Sequence, residues 1–249
     1  MKIIAQVCWF DEPLHHFERL IASLEGVVDA AVFLDGAYAR FPHRDPTSRI
    51  DQDLAIRDLC EKHHIECLIP EYHGAWQNQT VKRTAMWNYA AKLGTPHRDY
   101  TLVIDADEHV EHVDAAQLRS ILSKWSPDAC QVALETPAPN GWIPSSKGIQ
   151  SPRNSTSRHG RAIPRLFRLF PEIQIGPKYH GTYCARNKRG HLMCLKDRRK
   201  EYAHLSVKAR IIDVRHLLQI SNGTWSRDRK RIASKHHYGI VREAVKEDL

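Results

Sequence analysis

Apolar runs of about five to eight residues alternate with helix-spaced segments along the first 108 residues. KIIAQVCW (2–9) predicts a buried strand. Residues 12–24 place Leu14, Phe17, Leu20, Ile21 and Leu24 at helical spacing, and Gly26 supplies the stop. AAVFL (30–34) predicts a second strand, ending in Asp35-Gly36. Residues 50–63 predict a helix with Ile50, Leu54, Ile56 and Leu59 as core positions. Residues 65–69 predict a third strand, closed by Pro70. Residues 79–93 predict a helix ended by Gly94, and YTLVI (100–104) a fourth strand. Strictly alternating strand and helix implies an α/β fold, a mostly parallel central sheet flanked by helices.

The pattern changes further on. Residues 114–124 predict a helix and 129–134 a strand. Residues 136–162 are rich in Pro, Gly, Ser and Arg and predict a long loop, a candidate lid. IPRLFRLF (163–170) predicts a strand. Residues 207–218 and 226–244 predict helices, so 1–206 reads as the main domain and 207–249 as a basic helical C-terminal extension.

Charge sharpens this division. Residues 1–152 hold 14 Lys/Arg against 21 Asp/Glu, a net −7. Residues 153–249 hold 23 against 8, a net +15. That asymmetry points to a polyanionic or phosphorylated partner for the second half, against the alternative of solvated helix faces. With 249 residues, 42% of them hydrophobic, the chain can bury a sizeable core. No apolar run reaches the ~18–20 residues of a membrane span. The N-terminus turns acidic too early for a signal peptide. Six cysteines without a CxxC pair suit a reducing compartment, so a cytoplasmic location is expected.

Parallel sheets bind ligands beyond the carboxyl ends of their strands. Asp11, Asp35 and Asp105 all fall there. The strongest single feature is LVIDADEH (102–109), where a buried strand delivers Asp105 and Asp107 to its end. Such a pair can grip Mg²⁺ or Mn²⁺ together with substrate phosphates. The structural alternative is a turn that caps the next helix.

The order of these features resembles the family-two-like glycosyltransferases, which have a GT-A fold. The resemblance rests on Asp11-Glu12, Asp35-Gly36, Lys82-Arg83, Asp105-Ala106-Asp107, Arg165-Leu166-Phe167-Arg168, the 176–180 segment with its Gly and His, and His204. It implies transfer of a sugar from a nucleotide-sugar, a UDP-sugar first, to a hydroxyl on a protein, a glycan or a modified DNA base. It implies Asp107 as direct metal ligand, with Asp105 on the ribose or the metal and His204 completing the shell. It places Asp35 on the nucleobase and Arg83 on the pyrophosphate. Asp11 stands at the first turn of the donor site. Gln79, one helical turn before Arg83, can help position it. Many relatives carry His-Glu where this chain has His180-Gly181, so His180 and Glu108 are the two candidates for the base.

Other signals carry bland readings beside sharp ones. Cys60, His63, His64 and Cys67 imitate a zinc site but straddle a helix end and a strand, which favours a structural role. Trp76, Trp142 and Trp225 can stack on a ligand, though packing anchors are commoner. The basic run 227–231, with Lys235 and Arg242, can meet DNA phosphates, an anionic surface or water. Two other functions compete. One is a non-catalytic DNA-binding protein that uses the basic half. The other is metal-dependent phosphoryl transfer, since Asp105-Ala106-Asp107 resembles an aspartyl-phosphatase signature that wants Thr where His109 stands.

Overall fold

A computed structural model describes residues 1–39, 45–106, 108–111, 113–135, 142–144, 150–152, 161–170, 173–176, 182–186, 192–194 and 213–216. Along the first half run β1 (Ile3–Cys8), α1 (Leu14–Leu24), β2 (Ala30–Leu34), α2 (Ile50–Lys62), β3 (Glu66–Leu68), α3 (Gln79–Leu93) and β4 (Tyr100–Asp105). Then come β5 (Glu108–Glu111), α4 (Ala115–Trp125) and β6 (Ala129–Glu135). They are followed by β7 (Trp142–Pro144), β8 (Gln150–Pro152), β9 (Arg161–Arg168), β10 (Ile173–Gly176), β11 (Thr182–Arg186), β12 (Leu192–Cys194) and β13 (Asp213–His216).

The central sheet has the order β3-β2-β1-β4-β9-β6-β13-β5. The pairs β3–β2, β2–β1, β1–β4 and β6–β13 are parallel. β9 lies antiparallel to both β4 and β6, and β5 antiparallel to β13. The fold is therefore α/β with a mixed, mostly parallel sheet. β10-β11-β12 form a second, antiparallel sheet, and β7-β8 a small ribbon.

Alternation along β1 assigns the two faces. Ile3, Ala5 and Val7 meet Phe17, Leu20, Ile21 and Leu24 of α1, Ile56 and Cys60 of α2, and Leu118 and Leu122 of α4. Ile4 and Cys8 turn the other way, onto Met86, Trp87 and Ala90 of α3, with Ile175 and Tyr183 of the second sheet beside them. Helix ends follow local chemistry. The Asn78 side chain accepts the Val81 N–H and opens α3, and Asp114 does the same for the Gln117 N–H at α4. Gly26 takes φ +69° where α1 turns toward β2.

Several expectations need correction. Ile50 and Leu54 of α2 are exposed, because they point away from the Ile56/Cys60 stripe that faces the sheet. Glu108 opens a strand rather than capping a helix. The 136–162 stretch contains the β7–β8 ribbon. The helix expected over 207–218 is overturned at Asp213–His216, a strand between β6 and β5. There, pairing with β6 and β5, distant in sequence, sets the conformation instead of local helical spacing. The helix expected over 226–244, its basic run and Trp225 all lie outside the described residues. No helix among the described residues is long and apolar enough to cross a membrane.

Candidate active site at the carboxyl ends of the strands

β1 is flanked by β2 on one side and β4 on the other, so the crevice above their carboxyl ends is the switch point of the sheet. The register pairs Cys8 with both Leu34 and Asp105. Asp35 follows β2 directly, Asp105 ends β4, and Asp11 stands three residues beyond β1 at φ +48°. The three aspartates expected on one rim do occupy it.

Ser48 ties two of them together. Its N–H donates to Asp35 Oδ2 and its hydroxyl to Asp35 Oδ1, each at 2.6 Å. The Asp11 N–H donates to Ser48 Oγ at 2.6 Å. Burial pushes the Asp35 carboxyl above the usual carboxylate range, while the Ser48 bonds pull the other way. Gly36, at φ +112°, is required here, since a Cβ would lie 2.7 Å from Trp76 Nε1. That indole N–H donates to the Asp35 carbonyl at 2.7 Å, and the ring stacks on Tyr72 at 3.9 Å. Trp76 is thus a packing anchor of the rim.

Two consecutive cations of α3 reach the same crevice. Lys82, fully buried, donates from Nζ to the carbonyls of Trp9 and Gly36, both at 2.7 Å. It bridges the segments leaving β1 and β2. Burial lowers its pKa against the pull of Cys8 and Asp35. Arg83, also buried, donates from Nη2 to Asp105 Oδ1 at 2.7 Å. Burial opposes its charge, but Asp105 together with Tyr183, Cys8 and Tyr38 outweighs that and holds the guanidinium well above its ordinary value. With its amide oxygen turned inward, Gln79 accepts from Arg83 Nε at 3.1 Å and Nη2 at 3.3 Å.

Arg165 of β9 closes the other side. Its Nη2 meets Glu108 Oε1 at 2.9 Å and Asp105 Oδ2 at 3.7 Å. Glu108 Oε2 accepts the Asp105 N–H at 2.9 Å. Both Glu108 oxygens are therefore engaged, and the buried carboxylate braces the turn after β4.

Asp107, His180 and His204 lie outside the described residues. Among the described residues, no group of three or more His, Cys, Asp or Glu side chains is placed to hold a metal ion. Asp105 shares its oxygens with two guanidiniums, Arg83 at 2.7 Å and Arg165 at 3.7 Å. The described part of the site alone does not make a cation cage. The imitation zinc motif does not converge either, since His63 Nδ1 is held by Glu25 Oε2 at 2.9 Å.

Sequence reasoning gave Ser48 no role, and nothing in its surroundings marked it. The Arg165 pairing was more accessible: a charge at an inward position of IPRLFRLF needs a partner. Tyr183 was also passed over.

No protein-family model matches the chain, and no curated protein matches it. Similar solved structures exist. S. aureus TarS 1–349 in complex with UDP-GlcNAc is 16% identical, covers 59% of this chain and 38% of its own, and has a TM-score of 0.41. S. aureus TarS is 14% identical, covers 59% of this chain and 24% of its own, with a TM-score of 0.38. The nucleoside-diphosphate-sugar pyrophosphorylase from Vibrio cholerae RC9 is 14% identical, covers 67% of this chain and 72% of its own, with a TM-score of 0.38. The chain spans between 24% and 47% of the TarS chains it resembles.

Proposed function

We propose that this chain is a glycosyltransferase on a GT-A-like scaffold. It moves a sugar from a nucleoside-diphosphate sugar, a UDP-sugar first, to an acceptor hydroxyl on a protein, a glycan or a modified DNA base. One observation carries the reading: buried Arg83 pairs with Asp105 at the end of β4, across the switch-point crevice from Asp35 and Asp11. A carboxylate rim beside a desolvated guanidinium suits a nucleoside with a diphosphate attached.

In this reading Asp35 and the Asp11 turn take the nucleoside, and Ser48 fixes their spacing. Breaking the anomeric C–O bond leaves growing negative charge on the diphosphate. Arg83 meets that charge in a low-dielectric setting, where a fixed cation is worth more than in water. Arg165 and Glu108 hold the β4 turn in register. His180 is the proposed base for the acceptor. Asp105, Asp107 and His204 are the proposed ligands of Mn²⁺ or Mg²⁺, which when bound would add Lewis-acid charge at the phosphates. Residues 153–249 would build the acceptor side.

The test is thermal unfolding with UDP and a panel of UDP-sugars, with and without Mn²⁺, followed by measurement of UDP release. A donor should raise the melting temperature, because it binds only the folded chain. Asp105→Asn and Arg83→Met should each cut UDP release about a hundredfold or more, a loss typical of removing a transition-state donor. No shift with any nucleoside diphosphate, together with no UDP release, overturns the proposal.

A further inference from the structure

The turn that carries Asp11 is strained, and its supports reach into the first turn of α1. Asp11 sits at φ +48°, in the left-handed region that is costly for any residue with a Cβ, least so for Asn and Asp. Such a backbone persists where its surroundings hold it. On one side Ser48 Oγ accepts the Asp11 N–H at 2.6 Å. On the other side stands Glu12. Its carbonyl accepts from Gln52 Nε2 at 2.9 Å, and its Oε2 lies 3.4 Å from His16 Nδ1. The Glu12 side chain is 3% exposed and that of His16 1%. The two atoms do not meet with hydrogen-bond geometry, so the contact is one of charge. A carboxylate buried this deeply requires a cation beside it. An imidazole supplies one when protonated, and histidine changes charge between about pH 5 and 8.

The neighbouring charges are committed elsewhere. α1 packs on α2, β5 and the strands β1 and β4. Glu108 of β5 is bound to Arg165, and Asp105 of β4 to Arg83. His109 of β5 is buried, and Asp53 is the half-buried carboxylate of α2, whose other carboxylates are exposed. Lys82 of α3 acts on Glu12 from the crevice side, but its Nζ donates to the Trp9 and Gly36 carbonyls. On α1 itself, Glu18 and Arg19 are exposed, and the His15 ring lies 4.5 Å from that of His16. Burial and then the His16 charge hold His15 below the ordinary imidazole value, which disfavours a second cation there.

We infer that His16 is a positioning residue of the donor site, whose positive charge seats Glu12 and so holds the Asp11 turn in the form that takes the nucleoside. The inference rests on the nucleotide-sugar reading and deepens it, because it makes donor affinity depend on pH. With His16 protonated, the Glu12 carboxylate is neutralised where it stands and the turn is held from both sides. Once the ring loses its proton, a bare carboxylate is left in the interior, and turning toward water relieves it. Asp11 is the adjoining residue and moves with it. Donor affinity is therefore full while the ring is charged and falls as pH rises through the histidine range.

The test is calorimetric titration of UDP at about pH 6 and about pH 8, on either side of the histidine transition, into wild type and His16→Gln. The ionisation of UDP itself, and of His180 and His204, is common to both proteins and cancels in the comparison. Between the two pH values wild type should lose about tenfold more affinity than the variant loses, the size of a modest coupling between two sites. A purely structural role would weaken UDP binding by one factor at both pH values, and that parallel result overturns the inference. Glu12→Gln buries no charge and should also abolish the step; a step that survives in it overturns the inference. If wild type binds no UDP at either pH, the nucleotide reading falls and the positioning role falls with it. If wild type binds UDP and its pH profile parallels that of His16→Gln, only the positioning role falls. Should both variants fold poorly, wild type reports by itself. Without ligand, the amide resonances of Asp11 and Ser48 should titrate together with the His16 ring protons, and amides indifferent to the ring overturn the inference.

Discussion

Aspartates stand at both ends of the parallel strands, and the two ends use them differently. At the amino ends, Asp29 accepts the Ile3 N–H at 2.7 Å, and Asp99 accepts the N–H groups of Lys2 at 2.9 Å and Thr95 at 2.7 Å. Arg119 and Arg98 complete them from the surface. These carboxylates pin backbone to backbone. At the carboxyl ends, Asp35 is held by the N–H and the hydroxyl of Ser48 and Asp105 by the side chains of Arg83 and Arg165, and two buried cations of α3 stand in the crevice. The backbone at the amino ends is closed by its own carboxylates. At the carboxyl ends charge is gathered, and buried donors are left over. An aspartate near a strand terminus is thus uninformative until the direction of the strand is known.

The largest effect expected from breaking this contrast comes from Lys82→Met. It deletes the side-chain donor to the Trp9 and Gly36 carbonyls and removes the cation facing Asp35. Two buried carbonyls left without that donor should cost about 3 kcal/mol of stability. The β1 and β2 segments would also lose their bridge, so UDP affinity should fall with stability. Denaturant unfolding and UDP titration read the two losses separately. A stable variant with unchanged UDP affinity would show that Lys82 does not shape the rim.

Asp99→Ala should act at one end alone. It frees the Lys2 and Thr95 N–H groups at a cost of about 2 kcal/mol, yet it sits a full strand length from the crevice. Stability should drop in denaturant while UDP affinity in the folded protein stays at the wild-type value. A fall in affinity would mean that the two ends are coupled through β4.

Much of this was legible in the sequence. The alternation of β1 through β4 followed from apolar runs, because both faces of a buried parallel strand are covered and its residues read as a continuous run. The aspartate rim followed from strand ends alone. What stayed hidden depended on pairing across the chain. β9 enters antiparallel between β4 and β6, and only that insertion brings Arg165 to Glu108. Local spacing carries no trace of such a neighbour. β13 was misread for the same reason, since its environment between β6 and β5 is set by residues about a hundred positions away. Ser48 is a loop residue whose role comes from where the loop returns.

The smallest effect should also separate the ends most cleanly, because their titrations have opposite signs. Burial raises the Asp99 carboxyl, but its bonds to Arg98, Thr95 and Lys2 outweigh this, and the folded pKa lies below the ordinary value. The unfolded chain then binds the proton more tightly, so stability from Asp99 is present above about pH 4 and is lost as pH falls through the folded pKa. Asp35 behaves in reverse. Its burial outweighs the Ser48 bonds and raises the folded pKa, so the folded chain holds the proton more tightly. Stability linked to Asp35 is present below the unfolded pKa and is lost as pH rises through the folded value. Unfolding free energies measured across the acid range should therefore change slope in opposite directions in Asp99→Asn and Asp35→Asn. Asp99→Asn should flatten the rise of stability with pH, and Asp35→Asn should steepen it. Slopes that change in the same direction would mean that the Ser48 bonds outweigh burial at Asp35 and hold its folded pKa below the ordinary value, and the electrostatic distinction between the two ends would not hold.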